Sequence, residues 1–132
     1  MNGVYMLVLT GQGDTDVKLV NKETWDWVMN ADLGQSPDDR GESEWNDISV
    51  PANVKKAIWD GLSNSEKAWY GHNLDNFEVN VTAGSYNNDR ALLAPPLKID
   101  GVSGRFSSLT EAFNWVKKHD LNIVGECHGC IY

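Results

Sequence analysis

The hydrophobic pattern begins with an unbroken run. Val4-Tyr5-Met6-Leu7-Val8-Leu9 leads to Thr10 and stops at Gly11-Gln12-Gly13-Asp14, a turn-forming cluster. Thr15 to Val20 follows with Val17 and Leu19 on one face, so the two runs predict a β-hairpin. Asn21 is placed to cap a helix from Lys22 to about Asn30. In that helix Trp25, Val28 and Met29 have the i, i+3, i+4 spacing of a buried stripe, and Trp27 falls off it toward solvent. Residues 31 to 48 are polar, with Gly34, Pro37 and Gly41 as breakers, and predict a long loop.

Pro51 is expected at the first position of a second helix, with Val54, Ala57 and Ile58 as its stripe and Gly61 at its end. Ser63-Asn64-Ser65-Glu66 is a capping box for a short third helix that ends near Gly71. Phe77, Val79 and Val81 alternate with polar residues and predict a strand with one wet face, whereas 83 to 96 reads as irregular. Leu97 to Ile99 and Val102 to Phe106 flank Asp100-Gly101, a short turn signal. Ser108-Leu109-Thr110-Glu111 opens a last helix with Leu109, Ala112, Phe113 and Val116 on one face, and Leu121 to Ile131 predicts a closing strand. The order β-β-α-α-α-β-β-β-α-β implies an α+β fold, a mostly antiparallel sheet with helices packed on one face.

Length adds that residues 1 to 132 form a single domain with one modest core. Charge adds asymmetry. The chain carries a net −8, and residues 1 to 66 hold twelve acids against five bases while residues 67 to 132 hold seven against six. A negative face repels nucleic acid and anionic membranes and attracts basic proteins. Lys55-Lys56 and Lys117-Lys118 are isolated pairs, not the stripe of a nucleic-acid binder. No stretch reaches the roughly 18 apolar residues of a membrane span, and Val4 to Leu9 lacks a basic leader, so a cytoplasmic location is expected.

Candidate chemistry is sparse. Cys127-His128-Gly129-Cys130 has the spacing of a redox pair or half a zinc site. It follows a strand pattern, and residues three apart on a regular strand point to opposite faces, so small packing residues are the preferred reading. Gly11-Gln12-Gly13 lacks the third glycine and the following helix of a dinucleotide loop. No serine sits in a nucleophile elbow, and no cofactor is implied. Asp38, Asp39, Glu42 and Glu44 lack the alternating spacing of a calcium loop. Trp25, Trp59 and Trp69 lie near apolar helix stripes, while Trp27 and Trp45 are flanked by acids.

The opening strand Tyr5 to Thr10, the Gly11-Gln12-Gly13 turn, the second strand and Thr24-Trp25-Asp26-Trp27, with Ser107-Ser108-Leu109-Thr110-Glu111-Ala112 before the closing strand, resemble small acidic accessory proteins of tailed bacteriophages. The likeness is one of layout over about half of the residues. It implies a protein of the host cytoplasm, and some such proteins disable host nucleases of restriction or CRISPR systems.

Together these features lead to the expectation of a non-enzymatic protein that occupies a basic, nucleic-acid-binding surface of a host protein. Its partner contacts would be Trp27, Asp38, Asp39, Glu42, Glu44, Trp45 and Asp47. The alternatives are a small metal- or ligand-binding protein using Cys127, His128 and Cys130, and a phage structural or assembly component.

Overall fold

A strand that is apolar at every position must be covered on both faces, and Val4 to Leu9 is such a strand. The computed structural model, which describes residues 3–11, 13–29, 50–79 and 86–128, places it inside a four-stranded sheet. β1 (Gly3–Gly11) lies between β2 (Asp14–Val20) and β6 (Asn122–His128), and the sheet order is β5-β2-β1-β6, with β5 at Arg105–Phe106. β1 and β2 form the expected antiparallel hairpin, with Tyr5 opposite Val20 and Gly11 opposite Asp14. β5 is antiparallel to β2, and β6 is parallel to β1. The α+β class and the mostly antiparallel sheet are as expected.

The helices, however, cover both faces and not one. Leu7, Leu9 and Val20 form one core with Trp27, Val28, Val54, Ala91 and Ala94, contributed by α1 (Lys22–Met29), α2 (Ala52–Asp60) and the end of α4 (Tyr86–Leu93). Val4, Met6, Val8, Val17 and Leu19 form a second core with Ala112, Trp115 and Val116 of α5 (Leu109–Lys118). The unbroken apolar run of β1 is the cause, since successive side chains alternate between the two cores. Burying each such side chain contributes about 1.5–3 kcal/mol, so neither layer is dispensable.

Local signals set most boundaries. The Asn21 side chain accepts from the Thr24 amide at 2.8 Å and starts α1. Pro51 stands at the cap of α2, one residue before the first helical position, and Gly61 ends it. Ser63 and Glu66 bond reciprocally to each other's backbone amides and cap α3 (Asn64–Trp69). Asp100 and Gly101 have φ of 52° and 78°, the two positive values that a type I′ turn requires, and they join β3 (Lys98–Ile99) to β4 (Val102–Ser103).

Three expectations about individual segments also fail. Phe77 to Val79 is not a strand; it follows a 3-10 turn at Leu74–Asn76, and residues 80–82 lie outside the described residues. The stretch read as irregular contains α4 (Tyr86–Leu93). The run Val102 to Phe106 divides at Gly104. There the Gly104 amide donates to Leu97 O at 2.7 Å and its carbonyl accepts from the Leu19 amide at 2.8 Å, so the chain leaves the small hairpin and joins the large sheet.

Candidate functional site

Of the expected contact residues, Trp27 alone is among the described residues. Trp27 is 5% exposed. Its ring lies under the Arg90 guanidinium, 5.2 Å from ring centroid to Cζ, and its carbonyl accepts from Arg90 Nη1. It is a core residue and no surface anchor. The buried stripe of α1 is Thr24, Trp27 and Val28, one position back from the expected stripe, and Trp25 is half-buried, stacked on Tyr5 at 5.1 Å. Asp38, Asp39, Glu42, Glu44, Trp45 and Asp47 lie outside the described residues.

The C-terminal motif also changes character. Cys127 is disulfide-bonded, so its sulfur is not the thiolate a zinc site needs. Cys130, the other half of the opposite-face expectation, lies outside the described residues. His128 is exposed, its Nε2 2.9 Å from Glu126 Oε2. Among the described residues no three His, Cys, Asp or Glu side chains come together to hold a metal ion, and no helix is long and apolar enough to cross a membrane.

Two surface features emerge instead. The first is Trp69, 86% exposed at the end of α3. It borders a groove of about 340 Å³ with Leu62, Glu66, Tyr70 and Phe77. The groove has a firm aromatic floor. Tyr70 and Phe77 meet edge-to-face at 5.1 Å, and Trp59 packs on Phe77 at 5.5 Å. The Ser63 backbone amide, and then its hydroxyl, hold the Glu66 carboxyl below its ordinary pKa, so a fixed negative charge stands beside the indole. This exposure corrects the expectation that Trp69 lies near an apolar helix stripe. At i−4, i−3, i+3 and i+4 from Trp69 stand Ser65, Glu66, His72 and Asn73, which leaves no apolar neighbour at helical spacing.

No family model matches the chain, and no curated protein or solved structure matches it. Function therefore rests on the residues themselves.

The second feature is a cleft of about 480 Å³ between α2, the start of α1 and the segment after α4. Lys18 is part of its wall although only 4% exposed. Its Nζ donates to Ala91 O at 3.1 Å and Leu92 O at 2.6 Å, where the negative end of the α4 dipole favours a cation. Burial nevertheless lowers its pKa to about 8, against the opposing pull of Asp16 and with help from Arg105. Arg105 is bonded through Nε to Asp16 Oδ1 at 3.0 Å. From the sequence, Lys18 belongs to the polar face of β2; its burial follows from α4, the helix that the sequence reading left out.

Proposed function

We propose that the protein is a non-enzymatic binding protein for a basic protein surface, with Trp69 as its aromatic anchor. The observation that carries this reading is an indole 86% exposed in a chain of net charge −8. An exposed tryptophan forfeits the large hydrophobic gain of burial, and tryptophan at an interface is among the residues that contribute most to binding. The charge would act before contact. Acids concentrated in one half of the chain raise the encounter rate with a basic partner, and the anchor then slows separation.

In its finer form the basic surface belongs to a nucleic-acid-handling protein, whose groove is built to receive a phosphate array. The acids at Asp38, Asp39, Glu42 and Glu44 supply the charge in this reading, and Trp69 takes the place that Trp27 cannot fill. The experiment is affinity capture from bacterial lysate on immobilised wild-type chain and Trp69→Ala, with and without duplex DNA as competitor. A basic protein retained by the wild type, displaced by DNA and lost from Trp69→Ala is the expected result. Retention by both chains alike, or indifference to DNA, contradicts the reading.

A further inference from the structure

The cleft beside Lys18 is independent of the Trp69 surface and has its own chemistry. Lys18 and Arg105 are direct cross-strand partners in the β2–β5 ladder. Like charges so placed are destabilising. Asp16 is bonded to Arg105 Nε, and its pull on Lys18 outweighs the push of Arg105. Lys98 adds a third cation to the same wall. Among the described residues the one acid lining it is Asp60, which is paired with Lys56 at 2.8 Å and is also held low in pKa by Lys67 and Lys98. The cleft thus gathers positive charge in a protein that is otherwise strongly acidic.

The hold of Ala91 and Leu92 on Lys18 explains that lysine as a cap on α4, but it explains neither Lys98 nor Arg105. Besides Asn21, Thr24 and Asn53 the remaining wall is mainly aliphatic, with Ile58, Leu93 and Leu97 among its members, and no aromatic side chain is among the described residues that line it. The volume lies within the range of small-molecule sites. A carboxylate would match the three cations among the described lining residues, Lys18, Lys98 and Arg105, and an aliphatic body suits the wall of Ile58, Leu93 and Leu97.

We propose that this cleft is a binding site for a small aliphatic carboxylate, its head between Lys98 and Arg105 above Lys18 and its chain on Ile58, Leu93 and Leu97. The three probes are octanoate, octanol, which has the tail without the charge, and acetate, which has the charge without the tail. Each is titrated into the full chain and followed by methyl and amide NMR shifts. Octanoate is expected to saturate one site with a Kd of about 0.1–1 mM, moving the methyl signals of Ile58, Leu93 and Leu97. Octanol and acetate are expected to bind at least about tenfold more weakly, as loss of a charged hydrogen bond or of the apolar tail requires.

The double variant Lys98→Gln, Arg105→Gln changes two exposed side chains. It is expected to lose about tenfold in octanoate affinity with its urea midpoint within a few tenths molar of the wild type's. Lys18→Met serves as a second variant, read by the same shifts and by its own urea midpoint. Octanol binding as tightly as octanoate, shifts confined to another surface, unchanged affinity in the double variant, or no saturation would each overturn the proposal.

Discussion

Single residues make the sharpest commitments. At Gly104 an added Cβ would stand 2.8 Å from Leu97 O and 3.3 Å from both Leu19 Cβ and Leu19 O. Two of these neighbours are backbone atoms fixed by the hydrogen bonds that link hairpin and sheet, so they cannot swing aside. Gly104→Ala is expected to lose about 1–3 kcal/mol of stability, measured by urea unfolding. Lys18 makes a different commitment. Its folded pKa is about 8 against an ordinary 10.5, so between those values the unfolded chain holds a proton that the folded chain has released. Stability from this group therefore rises with pH across that window. Lys18→Met is expected to remove that rise, seen by comparing urea midpoints of the two chains at pH 7.5 and 10 (about the two ends of the window). At this scale the sequence was least legible. Trp25 with Met29 and Thr24 with Trp27 each fit a helical stripe with Val28, and only Arg90, from a helix the sequence did not announce, selects the second.

Elements were legible where a capping or turn residue marked them. Asn21, Ser63, Asp100-Gly101 and Ser108 each act where expected. Ser108 accepts from the Glu111 amide at 3.2 Å, while the Glu111 carboxylate accepts from Ser107 Oγ at 3.4 Å, so one side of the expected reciprocal pair is met by the neighbouring serine. α5 alone supplies Ala112, Trp115 and Val116 to the second core, and Ser108→Ala is expected to cost about 1 kcal/mol, visible as a lower thermal midpoint. The same helix shows the limit of periodicity. Phe113 fits the expected stripe but is 46% exposed, and Trp115 is buried in its place. Phe77 and Val79 alternate as in a strand, yet they pack sideways, Phe77 on Trp59 and Tyr70 and Val79 against the first core. Alternation identifies which side chains are covered; it does not identify the ladder that would make the segment a strand. β6 carries an extra residue, Val124, between the pairs Val4–Ile123 and Tyr5–Gly125, a bulge on a strand at the end of the sheet order that hinders pairing with another chain.

For the molecule as a whole, the α+β class was readable and the layer arrangement was not, although its cause was in view. A run apolar on both faces needs two covers, and the two cores meet on opposite sides of β1. The acidic balance was equally readable, but it says nothing of which ring anchors a partner. Burial removes Trp27 from the surface and leaves Trp69, the proposed anchor, exposed. Charge and anchor are expected to act on different rates, since steering changes association and a buried contact changes dissociation. The direct test is a kinetic measurement on a partner captured from lysate, with wild type, Trp69→Ala and the variant carrying Asp38→Asn, Asp39→Asn, Glu42→Gln and Glu44→Gln. The account expects the fourfold variant to associate about tenfold more slowly with a flattened salt dependence, and Trp69→Ala to dissociate roughly 30-fold faster, as for an anchor of about 2 kcal/mol. Association and dissociation rates indistinguishable from wild type in both variants would contradict it.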